Sequence, residues 1–176
     1  MAYFPCIYGN GGSQHTFEFN YVNSCYGDNY STVPKFTDKC AVAVSENDSN
    51  YTAQSYMVLD LTDTDLTGIT GIRIALEDLA ITDFGAFVVT PLSAEIRGEF
   101  ATAAVLGAER LYTKTGEGGA VSESSYTINI PVSASDLDNY LYIGVSTGIS
   151  ENVNPGFEDW RNGSASAKIV SVDFIY

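Results

Sequence analysis

The chain has 176 residues, 45% hydrophobic and 12% aromatic with 17% charged, which suits one domain, or one domain with an appended arm, and excludes a disordered chain. Its 22 acidic residues against 8 basic ones leave a formal charge of −14, a balance that repels phosphates and anionic lipid heads and excludes nucleic acid as the expected partner. The longest apolar runs fall far short of the roughly 20 residues that span a bilayer, so no membrane insertion is expected.

In chain order, the opening stretch MAYFPCIYGNGG carries aromatic, proline, cysteine and glycine residues where an export leader has a basic and then an apolar segment. A protein made in the cytoplasm without a signal peptide is the expectation. Residues 1–35, rich in Tyr, Phe, Gly and Asn, hold one strand signal between two glycine-rich turns. They are set apart as an N-terminal arm or peripheral hairpin from a β-sandwich domain over residues 36–176. Whether the segment lies on the sandwich or packs on a neighbouring subunit stays open at this level. Cys6, Cys25 and Cys40 form no CxxC pair and have only His15 for company, a poor match to the four soft ligands of zinc. Three free thiols in a reducing compartment, or one disulfide and one thiol in an oxidising one, both fit.

A period of two dominates the strand-like segments. HTFEFNY sets Phe17, Phe19 and Tyr21 on one face; GITGIRIALED sets Ile72, Ile74 and Leu76 against Arg73 and Ala75. SYTINIPV aligns Tyr126, Ile128 and Ile130, and KIVSVDFIY aligns Val170, Val172, Phe174 and Tyr176. KCAVAV, SYMVLDL, FGAFVVT and YLYIGVS are apolar at consecutive positions, which predicts central strands covered on both faces. YGNGGS, YGDNYS, SENDSN, KTGEGGA and NVNPGFEDWRNGS read as turns. SAEIRGEFATAAVLGAERL has helix-forming residues interrupted by Gly98 and Gly107, and SASDLDNY suits a single turn capped by Ser133 or Ser135 with Asp136 in its first turn. The sum is an all-β antiparallel sandwich of about eight to ten strands with an N-terminal arm or hairpin.

Chemistry-bearing motifs are sparse. A nucleophilic triad would have to run through His15, and no GxSxG elbow, P-loop or dinucleotide fingerprint is present. Nothing singles out a carboxylate pair for glycoside hydrolysis among 22 acids, so no catalytic residue is expected. Asp60, Asp63 and Asp65 form the densest acidic cluster, a candidate calcium site, though closely spaced Asp more often caps turns. No other cofactor is expected. Phe157, Asp159, Trp160, Arg161 and Asn162 fall in one loop, where an aromatic face beside hydrogen-bonding groups suits a sugar or a protein, while a Trp160 that plugs the core is the alternative.

The C-terminal half, SYTINIPVSASDLDNYLYIGVSTG with the closing strand AKIVSVDFIY, resembles the end of a jelly-roll sandwich of the kind found in carbohydrate-binding modules and in phage and bacterial surface proteins. The start MAYFPCIYGNGG is similar to small structural proteins of tailed phages. The resemblance implies a non-catalytic virion protein, a capsid decoration, head fibre or tail accessory subunit, made in the host cytoplasm and exposed after lysis. Its implied partners are other virion proteins and sister subunits, with Tyr3, Phe4, Ile7 and Tyr8 as a candidate assembly surface. A module recognising a host surface glycan is the second expectation, and a small polysaccharide-acting enzyme the third.

Overall fold

The computed structural model describes residues 5–7, 16–18, 40–44, 54–95, 108–147 and 163–176. Within them the chain forms strands β1 (Pro5–Ile7), β2 (Thr16–Glu18), β3 (Cys40–Val44), β4 (Gln54–Asp60), β5 (Gly71–Leu92), β6 (Tyr112–Pro131), β7 (Tyr140–Thr147) and β8 (Gly163–Ile175), with one 3-10 turn at Ala134–Asp136. Every pairing is antiparallel, in the order β1-β2-β4-β7-β5-β8-β3, and β6 lies against β5.

β5 turns this single network of ladders into two layers. Its first part, from Gly71 to Asp83, runs between β6 and β8, whereas its second, from Gly85 to Leu92, runs beside β7, with the start of β6 on its other side from Ala86 to Val89. The inward side chains of the two parts meet. Ile72, Ile74 and Leu76 share one core with Phe87 and Val89, with Leu141 and Ile143 of β7, and with Val172 and Phe174 of β8. The chain therefore adopts the all-β, antiparallel, sandwich-like class read from its periodicity.

The layers differ in how they are covered, and the difference follows the sequence pattern. Tyr56–Leu59, Gly85–Thr90 and Leu141–Ser146 are buried without interruption, so the consecutive apolar runs are strands covered on both faces, as expected. On the side away from the main core, Tyr56, Val58 and Tyr142 form a second cluster, with the two tyrosine rings edge to face at 5.4 Å. The other layer alternates. Its outer face carries Arg73, paired with Asp173 at 3.4 Å, and Lys168, paired with Glu77 at 3.1 Å. Such exposed pairs contribute at most about 1 kcal/mol each, and their value here is to keep that face wet.

Among the described residues eight strands form, the low end of the eight to ten expected, and β4 to β8 hold most of the buried residues. The count is held down because single strands absorb what the sequence divides. GITGIRIALED and FGAFVVT are the two ends of β5, and KTGEGGA, read as a turn, lies inside β6. There Asp83 is opposite Gly116 while Ile81 is opposite Val121. The residues between, Glu117 to Ala120, are an outward bulge whose glycine content the strand tolerates without reversing direction. Gly163 and Ser164, also assigned to a turn, begin β8. Ser164 is fastened to β5 there, its N–H donating to the Thr82 hydroxyl at 3.1 Å and the two hydroxyls lying 2.8 Å apart.

Register slips correct the reading of β8. Ala75 is opposite Ser171 but Leu76 is opposite Ile169, so β8 carries one extra residue at Val170. That extra residue reverses the alternation. Ile169 is buried and Val170 is 44% exposed, while Tyr176 is also exposed. On β5 a compensating slip falls beside Asp78, whose φ of 50° lies in the left-handed region, which Asp tolerates better than most side chains. The inward set passes there from Ile72, Ile74 and Leu76 to Leu79 and Ile81.

Candidate functional site

One end of the sandwich gathers the acidic clusters of the sequence. The last residue of β4 and the connection to β5 supply Asp60, Asp63 and Asp65, and the connection from β6 to β7 holds Asp136 and Asp138. Backbone bonds tie the two together: Leu61 N–H donates to the Asn139 carbonyl at 2.7 Å, and Val132 N–H donates to the Thr70 carbonyl at 3.2 Å. Thr70 N–H donates in turn to the Ile175 carbonyl at 2.7 Å, and the Tyr176 hydroxyl donates to the Asp65 carbonyl at 2.8 Å. The closing strand is thereby latched onto the acidic loop.

Each carboxylate that caps this loop end has a local task. Asp60 Oδ1 accepts from the Thr62 hydroxyl at 2.6 Å and its N–H at 3.0 Å, and Asp65 Oδ1 accepts from Thr67 N–H at 2.9 Å. These are Asx turns, which hold the chain in its reversal. The hydrogen bonds from Thr62 and Thr67 hold both carboxyls below the usual aspartate range. Among the described residues no three His, Cys, Asp or Glu side chains gather closely enough to hold a metal ion. The candidate calcium residues Asp60, Asp63 and Asp65 are not drawn together as a metal-holding group; Asp60 and Asp65 instead accept from Thr62 and Thr67, the turn-capping role that closely spaced Asp more often takes.

The turn at Ala134–Asp136 matches the sequence expectation. Asp136 Oδ2 accepts from Ser133 N–H at 2.7 Å and from its hydroxyl at 2.8 Å, while Asp136 N–H donates to the Ser133 carbonyl at 3.0 Å, which closes the turn. The Ser133 bonds lower the Asp136 carboxyl below its ordinary range. A group whose folded pKa is lowered adds stability that is complete above the unfolded value and is lost as pH falls through the folded one. Asp136→Asn, which mimics the protonated acid, is expected to lower the melting midpoint at neutral pH, with the difference from wild type closing as pH falls through and below the ordinary aspartate range. Paired thermal melts across that range would show it, and a constant difference would refute the assignment.

Ile7, of the candidate assembly surface, lies at the end of β1, opposite Thr16 of β2, and β2 meets β4 through Glu18 opposite Val58. Tyr3, Phe4, Tyr8, Phe157, Asp159, Trp160, Arg161 and Asn162 lie outside the described residues, as does most of SAEIRGEFATAAVLGAERL. No described helix is long and apolar enough to cross a membrane.

One feature that motif reading missed is the edge of β6, which among the described residues has no strand beside it opposite β5. From Glu117 to Thr127 its side chains are exposed except Val121 and Tyr126, which are half-buried. The sequence signal was GEGGAVSESS, a serine- and glycine-rich run with glutamate as its only charge, which is easily read as a turn. Compared with known proteins, the chain matches no protein-family model and no curated protein.

Proposed function

We propose that the protein is a non-catalytic structural or attachment subunit of a phage particle, a capsid decoration, head fibre or tail accessory protein, whose working body is the sandwich. The observation that carries this reading is the doubly covered layer: Tyr56–Leu59, Gly85–Thr90 and Leu141–Ser146 are buried without interruption. Ladder hydrogen bonds in strands sealed on both faces open only with most of the domain, which resists proteolysis and suits a body that works without chaperones. The phage setting comes from the resemblance of the chain's start and C-terminal half to such proteins.

Light scattering on the purified protein at several concentrations tests the reading. A closed assembly of about three or more copies, stable on dilution, is expected. Deleting residues 1–8 should dissolve it while the circular-dichroism melt of the sandwich persists. A monomer at every concentration would overturn the assembly role.

A further inference from the structure

We propose that the edge of β6 between Val121 and Asn129, which among the described residues pairs with no strand but β5, receives an extended, basic segment of a partner protein as an added strand. Such docking at the open edge goes beyond the particle role. Along this run β6 keeps unbroken register with β5, from Ile81 opposite Val121 to Arg73 opposite Asn129. Ser122, Glu123, Ser124, Ser125, Thr127 and Asn129 are exposed, and β6 stands off the path of the other strands, paired to β5. An edge of this length, roughly 30 Å at 3.4 Å per residue, is what natural sheets protect with Lys, Pro or inward charge. Within this run neither Lys nor Pro occurs. The single cation of β6, Lys114, lies away from the run in sequence with its Nζ 5.3 Å from the Tyr126 ring.

Charge selects the occupant. Glu123 lies on the run, while Glu77, Asp78 and Asp83 are exposed on the adjoining strand β5. Lys168 pairs with Glu77 at 3.1 Å. An added strand with Lys or Arg at alternate positions sets its charges within about 10 Å of this row, two strand spacings, where screening at physiological salt is incomplete. A second copy of this chain would instead bring the same carboxylates and a charge of −14 against their like. The bulge adds access: a methyl group at Gly118 or Gly119 would meet nothing within 4 Å, so among the described residues no side chain or neighbouring element obstructs the approach there. Main-chain bonding supplies affinity in such strand addition, and alternating side chains supply selectivity.

The test uses the full chain and a labelled peptide of about nine residues alternating Lys with Val or Thr, read by fluorescence anisotropy, beside versions with Glu for Lys and with Pro at its centre. The lysine peptide is expected to bind at least about tenfold more tightly than either, and to weaken between about 0.02 and about 0.5 M salt. Glu123→Gln should weaken it several-fold. Successive N–H groups point to opposite sides of a strand, so of Ser124→Pro and Ser125→Pro one spares the β5 ladder. That folded variant, identified by its melt, should lose binding by about tenfold or more. Failure of the lysine peptide to bind, equal binding of the proline or glutamate peptide, or full binding by the folded proline variant would overturn the proposal. So would light scattering that shows paired copies of the chain dissolved by the same variant.

Discussion

Gly85→Ala is expected to destabilise the domain by about 3 kcal/mol or more, the upper end of what overpacking costs. A methyl group at Gly85 would overlap the backbone carbonyl of Ser164, which cannot swing aside as a side-chain end can. The clash falls where β5 leaves β8 for β7, with Gly85 opposite Thr147 and Asp83 opposite Gly163. At that point the backbones of β5 and β8 are in direct contact, and a methyl at Gly163 would in turn lie 2.5 Å from the Gly85 nitrogen. Gly118→Ala is the matched control, since the added methyl meets nothing there and the backbone needs no positive φ. It should be neutral or stabilise by up to about 1 kcal/mol, through a narrower unfolded ensemble. Urea unfolding of both variants decides the matter: similar losses in the two would mean that the junction is not closed as described. With total stabilities of about 5–15 kcal/mol for domains of this kind, Gly85→Ala places folding itself at risk.

A second pair of substitutions reads the slip in β8. Ile169→Ala should cost about 2–5 kcal/mol, the range for truncating a buried isoleucine, because Ile169 lies in the core at 8% exposure. Val170→Ala should stay within about 0.5 kcal/mol of wild type, because Val170 stands on the outer face. Strict alternation through Val170, Val172, Phe174 and Tyr176 gives the reverse ranking, so the experiment separates the two registers. A larger loss at Val170 than at Ile169 would restore the unslipped strand.

The candidate sites were legible in the sequence to unequal degrees. Ser133 and Asp136 were readable as a cap because the bonds they form span three residues, and local chemistry suffices. Asp60, Asp63 and Asp65 were readable as a cluster but not as a site, since only the folded loop shows that Asp60 and Asp65 accept from Thr62 and Thr67. The open edge of β6 was invisible because an edge is a property of strand order: Ser122 to Ser125 look the same in sequence whether or not a neighbour lies beside them.

What the sequence determined by itself was therefore the class and the covering of each layer. A period of two in GITGIRIALED and consecutive apolar residues in FGAFVVT and YLYIGVS state directly how many faces of a strand must leave water, since burial of apolar surface is the dominant driving force. What only the tertiary structure decided was continuity and register. Gly163 is strand rather than turn because β5 passes close enough to forbid a side chain there, and Glu117 to Ala120 bulge within β6 because β5 holds both flanks. Ile169 displaces Val170 from the core because one extra residue opposite β5 reverses the facing of the strand around it. Each depends on contacts between segments far apart in the chain, such as the bond from Thr82 to Ser164 (82 residues) or the ion pair of Arg73 with Asp173 (100 residues), and local pattern carries no record of them.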